Sequence, residues 1–479
     1  MKSKPKVVVV GAGLSGLAAA GVLCGKGCNV VIVDEGMQPG GQYLKRPEPS
    51  LGRLPWNRRD SLSSLGLSLI KQIALQGAEF MPGAQVVGAD GGRSLWVENA
   101  ERRLVEMRSE AVLFATGARE RFVPFNGWTL PGVISTGAAQ LLLKTCGVLP
   151  AKRMVVAGCG PLPLTVAAEI SAAGVRIQGL IYQTPLLPAG KIFFRLAAYP
   201  LKMVEAWKSL FRLAAAGVLL RPGAAVIKAV GDEVLQEVVY CSLDREGNLM
   251  PGSEKTIRTE CLAVGHGFAA NIELPQAAGC RLSFDKDAHG WAVEVDECMR
   301  TSLPGIYASG ELTGVAGARK SLIEGQISGH SIARDLGLEK EQGYQPRLRR
   351  LRRIREKEIN FGRLINRVSV PPVGLWRNIH DDTIICRCED VTMGNIRKSS
   401  VDGVLTPGGI KRATRCGMGM CQGRTCGPVL HDLISMQAGF TDPVPPLSAR
   451  IPVKPIGVSS LLDRADVGDK DTAPVNVQS

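Results

Sequence analysis

Residues 6–34 form one unit: an unbroken apolar run KVVVV, a turn GAGLSG, an alanine-rich stretch, and a second apolar run NVVIV closed by Asp34. Neither run alternates polar with apolar positions, which is the pattern of parallel strands buried on both faces. Strand, glycine turn, helix and strand in this order predict an α/β nucleotide-binding unit. The pattern recurs from Lys152, with RMVVAGCGPLP, a helical LTVAAEISAAG and the strand VRIQGLIY. Two such starts predict two nucleotide-type domains, the second inserted into the first. Residues 191–216 carry Phe, Leu, Met and Trp on one side of a helical stretch. That pattern predicts an insertion packed on its own domain, with a membrane anchor as the sharper alternative. RLRRLRRIREKE at 347–358 predicts a basic helical linker. Its default place is a solvated face; an acidic protein partner or a lipid surface is the alternative. The chain after Phe440 is proline-rich, and its last ~15 residues have the composition of a disordered end.

The expected organisation is a discontinuous first domain at 1–148 and 262–340, an insert at 149–261, and a linker at 341–380. A cysteine-rich domain at 381–440 and a tail at 441–479 complete it. Lys and Arg number 58 against 44 acids in 479 residues, a formal charge of +14. Alone, such a balance is weak evidence for any partner, and no nucleic acid is expected. No apolar run reaches the ~18 residues of a spanning helix, and MKSKPKVVVVGAG enters a strand rather than a signal-peptide core. A cytoplasmic chain is expected, with peripheral contact at the inner membrane face as the variant. Its 13 cysteines are then thiols or metal ligands rather than a disulfide framework.

Gly11, Gly13 and Gly16 give G-x-G-x-x-G between a strand and a helix. The first glycine permits the turn, the second lets the backbone approach a pyrophosphate, and the third allows close packing of helix on strand. The helix N-terminus adds amide donors and a positive dipole. Asp34, with Glu35 beside it, ends the next strand where an acid can accept from a ribose hydroxyl. The second turn departs from this pattern. Gly158 and Gly160 are kept, but Pro163 replaces the third glycine, and the strand ends in Tyr182 and Gln183 without Asp, Glu or Arg. An NAD ribose would lose its acceptor and an NADP phosphate its counter-charge, so a decayed NAD(P) site is expected, or a site for another nucleotide.

Cys386 and Cys388 form C-x-C, and Cys421 and Cys426 form C-x4-C in a loop holding Gly417, Gly419, Gly423 and Gly427. In an extended segment the first two would face one way. Glycines let backbone amides turn toward sulfur, and four thiolates make a 2Fe–2S site. Zinc is the rival, but structural zinc favours C-x2–4-C at both ends. Cys416 is expected to pack rather than ligate. Lys411, Arg412, Arg415 and Arg424 would offset the cluster's negative charge. Cys24 and Cys28, at i and i+4, are expected to be small hydrophobes. The five histidines show no catalytic spacing, so no catalytic residue is assigned.

MQPGGQ at 37–42, with Gly41 and Gln42, and VLFATGA at 112–118, with Thr116 and Gly117, resemble the second and third fingerprints of two-dinucleotide-domain flavoproteins of the glutathione-reductase type. GIYASGELTG at 305–314, with Gly310 and Glu311, resembles their closing motif, where an acid reaches the ribityl–phosphate region of FAD. Most members have Asp at that position; Glu311 is one methylene longer. The resemblance also implies a helix beginning near Ser321 with its N-terminus toward the flavin pyrimidine. The cysteine pattern resembles the bacterioferritin-associated-ferredoxin-like domain. Over roughly residues 5–455 the chain resembles the α subunits of heteromeric amino-acid and opine dehydrogenases. The fold class implied is a glutathione-reductase-like α/β flavoprotein with a small α-rich 2Fe–2S domain. The implied partner is a β subunit of amino-acid-oxidase type, which oxidises the substrate C–N bond, in some members with FMN at the shared interface and a small third subunit. Electrons would leave to a quinone or another acceptor.

Overall fold

The valine runs become the centre of a parallel sheet because every side chain in them is enclosed. In this computed structural model, which describes residues 4–47, 61–184, 195–196, 198–401, 406–437 and 443–462, Val7, Val8 and Val9 are fully buried. The first sheet has five parallel strands in the order Ile306–Ala308, Ala111–Phe114, Lys6–Val10, Asn29–Val33 and Glu79–Met81. An antiparallel meander of Gln85–Ala89, Ser94–Glu98 and Leu104–Arg108 lies beside it. The helix Leu14–Gly25 packs on the helix Ala318–Asp335 through small residues. A Cβ on Gly329 would lie 2.8 Å from Val22 and 2.9 Å from the Ala19 carbonyl, so the two helices touch nearly backbone to backbone.

The second sheet is also parallel, in the order Leu220–Pro222, Arg176–Tyr182, Arg153–Gly158, Cys261–Gly265 and Val133–Ser135. It draws in strands on both sides of the expected 149–261 insert, because the short strand at 133–135 pairs with Leu262–Val264. The segments Ala118–Glu120 and Phe268–Ala270 pair antiparallel and join the two sheets. On the helix Pro200–Ala215 Leu213 is buried, while Val204, Trp207 and Phe211 are 47, 57 and 76% exposed. The expected packing of that face on its own domain is therefore confined, among the described residues, to the Leu213 side. Most of 185–199, including 191–194, lies outside them.

The basic run belongs to a 28-residue helix, Glu341–Val368. Tyr344, Leu348 and Leu351 are buried against Met299, Ile323 and Ile327 of the first domain. Its arginines pair with that domain's acids: Arg347 with Glu339 at 2.6 Å, Arg352 with Glu297 at 2.6 Å, Arg355 with Glu324 at 2.7 Å and Arg367 with Asp287 at 2.7 Å. The helix therefore has two faces: the Leu stripe docks on the first domain, while Arg349, Arg350, Arg353, Glu356 and Lys357 form the expected solvated face. Residues 443–462 form a strap rather than a loose tail. Trp291 Nε1 donates to the Val444 carbonyl at 2.9 Å, Val453 N–H donates to the Val87 carbonyl at 2.7 Å, and Ser460 Oγ donates to Glu98 at 2.6 Å. The last ~15 residues, expected to be disordered, lie outside the described residues.

Candidate flavin and iron–sulfur sites

The first glycine turn leaves a cradle. Gly16 is demanded by the fold, since a Cβ there would overlap the Gly11 carbonyl oxygen. Gly13 is not. Its φ is −72° and ψ 179°, which any residue adopts, and a Cβ there would meet nothing within 4 Å. An open, unstrained glycine at a helix N-terminus fits a position reserved for a bound phosphate. Gly41 folds over this turn, its would-be Cβ 2.7 Å from Gly13 Cα, and Gly40 N–H donates to the Ala12 carbonyl at 2.8 Å. Gln42 is exposed. Asp34 accepts from Ala12 N–H at 2.6 Å and Gly36 N–H at 2.7 Å, so the acid stands against the turn. Glu35 points outward and pairs with Lys454 of the strap.

Thr116 and Gly117 are held by Asn271: Thr116 Oγ1 donates to the Asn271 carbonyl at 2.9 Å, and Asn271 N–H donates to the Gly117 carbonyl at 3.0 Å. Gly310 N–H donates to Glu324 at 2.9 Å. The helix after the closing motif starts at Ala318, three residues before the expected Ser321. Glu311 caps that start, accepting from Gly317 N–H at 2.8 Å, Ala316 N–H at 3.3 Å and Ser321 Oγ at 3.2 Å. Burial pushes its carboxyl above the usual range. Sequence reasoning missed Lys320 and Glu324, buried at 1 and 0% and 2.8 Å apart beneath the motif. Their i,i+4 spacing was the available signal.

The second turn is filled. A Cβ on Gly160 would lie 2.5 Å from Ser369 Oγ, and Cys159 Sγ donates to the Ser369 carbonyl at 2.9 Å. Thr184 Oγ1 donates to the Val368 carbonyl at 2.9 Å, and Tyr182 OH to the Gly160 carbonyl at 2.8 Å. The end of the long basic helix therefore sits where the first domain has open space. Pro161 and Pro163 further remove two amide donors from the first turn of the helix Pro161–Ala172. Gln183, at the ribose-acid position, is buried against His266, whose imidazole burial holds neutral, with its pKa pushed down to about 3.

The cysteine domain has a short hairpin, Ile384–Cys386 with Val391–Thr392, and the helices Met393–Val401, Pro407–Thr414 and Cys426–Gln437. Cys386 ends a strand, but Cys388 lies in the following turn rather than in an extended segment. Cys386 and Cys426 are buried, Cys388 is exposed and Cys421 intermediate. Gly419 is required by close approach, because a Cβ there would collide with Cys388 Cβ. The loop amides turn toward sulfur. Gly417 and Cys388 N–H groups donate to the Cys386 thiol, Cys421 N–H to Cys388, and Thr425 and Gly423 N–H groups to Cys421. Hydrogen bonds from Cys416 and Cys426, then these amides, hold the Cys386 thiol far below the ordinary thiol range. Such a nest stabilises thiolates, the state in which sulfur binds iron. Cys386, Cys416 and Cys426 sulfurs lie within 4.8 Å of one another. Arg415 is paired with Glu389 at 2.7 Å. Cys24 and Cys28 carry thiols pushed up to about 11 by burial.

One segment joins the two sites. Directly after Thr116 and Gly117, Arg119 Nε donates to the Arg424 carbonyl in the cysteine loop at 2.8 Å, and its NH2 pairs with Glu273 at 2.5 Å. Arg121 pairs with Asp432 on the helix that starts at Cys426.

A sequence profile described as pyridine nucleotide-disulphide oxidoreductase matches residues 5–334, and one described as BFD-like 2Fe-2S binding domain matches 384–436. The chain is similar to hydrogen cyanide synthase subunit HcnB of Pseudomonas aeruginosa, 33% identical over 95% of this chain and 97% of that one. It is similar to an opine oxidase subunit of Rhizobium meliloti, 31% identical over 95 and 98%. The solved L-proline dehydrogenase from P. horikoshii shares the fold, with a TM-score of 0.68 at 20% identity over 96% of this chain and 79% of that one. The glutathione-reductase-like α/β fold with a C-terminal 2Fe–2S domain is thereby shown. Among the described residues no helix is long and apolar enough to cross a membrane.

Proposed function

The chain belongs to the pyridine nucleotide-disulphide oxidoreductase family and is an oxidoreductase subunit with flavin and 2Fe–2S domains; on that premise we propose that it relays electrons within a heteromeric amino-acid, imino-acid or opine dehydrogenase. In this reading a partner β subunit of amino-acid-oxidase type oxidises the substrate C–N bond, and this chain passes the electrons to a quinone or similar acceptor. The observation that carries it is the contrast between the two glycine turns: Gly13 faces open space, while Gly160 is covered by Ser369. A self-sufficient NAD(P)H reductase needs both turns open.

FAD, when bound, accepts electrons in pairs and releases them singly to a one-electron centre. The chain's own residues hold and insulate it. The Gly11–Gly16 turn and the N-terminus of the helix Leu14–Gly25 would hold its pyrophosphate, and Asp34 would take its ribose. Gly41, Gln42, Thr116, Gly117, Gly310 and Glu311 would line the rest of the site, with Glu35 beside Asp34. Cys386, Cys388, Cys421 and Cys426 would hold the cluster as thiolates. Arg119 ties the flavin-side segment to the cysteine loop, fixing the separation an electron crosses. FMN at the partner interface, a third subunit, and a cytoplasmic location in peripheral contact with the membrane belong to the same reading.

Mixing the isolated, FAD-loaded chain with NADH or NADPH anaerobically tests it. The flavin absorbance is expected to persist, and to bleach with substrate once a β-type partner is co-expressed. Rapid bleaching by NADH in the isolated chain would overturn the reading.

A further inference from the structure

Five thiols, not four, converge on the cluster site. Cys386 and Cys426 are 2 and 1% exposed, and Cys388 and Cys421 are the more open two of the motif cysteines. These are two pairs, enough for the irons of one 2Fe–2S unit. Cys416 is left over, yet it is fully buried and its sulfur lies within 4.8 Å of both Cys386 and Cys426. It is placed there by the fold. The helix Pro407–Thr414 ends in Arg415 at φ 67°, a left-handed cap that turns the chain inward. Cys416 then packs among Ile385, Ile410, Val429 and Leu430. A packing residue would be served as well by Ala or Val. A thiol instead presents an S–H donor, and here it faces two sulfurs.

We propose that Cys416 is a positioning residue that donates an S–H···S hydrogen bond to the deep pair of cluster thiolates, Cys386 and Cys426, and so sets the reduction potential of the cluster. This rests on the 2Fe–2S ligand set proposed above. Reduction adds negative charge to the sulfurs, so a donor aimed at them favours the reduced state and raises the potential. Burial strengthens the bond because no water competes for it. The cluster would then be easier to reduce by the flavin than four thiolates alone would make it.

The test is an anaerobic redox titration of the full chain, followed by its EPR signal, with iron and acid-labile sulfide measured on the same samples. Cys416→Ala is expected to keep the iron and sulfide of the wild type while its midpoint moves to more negative potential. Cys416→Ser, which retains a donor, is expected to restore part of the shift. Cys416→Val removes the donor while filling the space, and should match the alanine variant if the lost donor rather than the cavity moves the midpoint. An unchanged midpoint in the Ala and Val variants would overturn the proposal. So would loss of iron and sulfide from all three variants, which would make Cys416 a ligand. Stoichiometric zinc without sulfide in the wild-type chain would instead sink the 2Fe–2S reading beneath it.

Discussion

Replacing Gly13 with Val separates what the fold needs from what the ligand needs. The substituted residue keeps an allowed backbone, at φ −72° and ψ 179°, and its Cβ enters space with no atom within 4 Å. Its cost to folding is that of a poor helix N-cap, about 1 kcal/mol. The added side chain stands where a pyrophosphate must meet the turn. Losing two charged N–H···O–P contacts, at about 1.5–3 kcal/mol each, removes roughly 3–6 kcal/mol, or about 10²–10⁴-fold in affinity. Flavin released on denaturation is quantified by absorbance, and stability is read from urea unfolding of the apo-protein. Gly16→Val is the control: its Cβ would overlap the Gly11 carbonyl and sit 3.1 Å from Val9 Cγ1, so it should lose stability as well as flavin. A Gly13→Val chain that purifies with a full complement of FAD would refute the phosphate cradle. So would one as unstable as Gly16→Val.

Cys421→Ser should abolish the visible iron–sulfur spectrum while leaving bound FAD intact, checked by absorbance and sulfide assay. Lys320→Met leaves Glu324, fully buried, with only Arg355 as cationic partner, and should cost about 3 kcal/mol in urea unfolding. Burial pushes the Glu324 carboxyl up, but Lys320 and Arg355 more than offset it, so its folded value lies below the ordinary 4.5. The pair's contribution is therefore complete above about pH 4.5 and is lost as pH falls through the folded value. The stability gap between wild type and Lys320→Met should narrow on acidification, and a gap that widened would contradict the sign.

The first domain was legible because its signals are local. Valine runs encode buried strands, and Gly11, Gly13 and Gly16 encode the turn between them within a few residues. The closure of the second turn was half legible. Pro163 and Gln183 announced a departure from the nucleotide-binding pattern, but what covers the turn was hidden, since Cys159 and Ser369 meet across 210 residues of sequence. The basic run was legible in its solvated face, at Arg349, Arg350 and Arg353, but not in its docked one. Its arginines are visible locally, whereas Glu339, Glu297 and Glu324, which pair with Arg347, Arg352 and Arg355, lie outside the run. Leu348 and Leu351, at i and i+3, were the overlooked sign of a docked face. The cysteine motif named the ligand candidates. It could not show that Cys388 sits in a turn, or that Cys416 enters the same knot, because both depend on how the Arg415–Thr425 loop folds back.

Electron transfer from flavin to cluster inside one chain is tested most directly by flash photoreduction of the isolated holo-protein, with a photosensitiser as donor and no substrate or partner present. Flavin reduction should be followed by loss of oxidised-cluster absorbance in a first-order phase whose rate does not change with protein concentration. That phase should vanish in Cys421→Ser while the initial flavin reduction remains. A cluster that stays oxidised while the flavin is reduced would contradict the relay, as would a rate that rises in proportion to protein concentration.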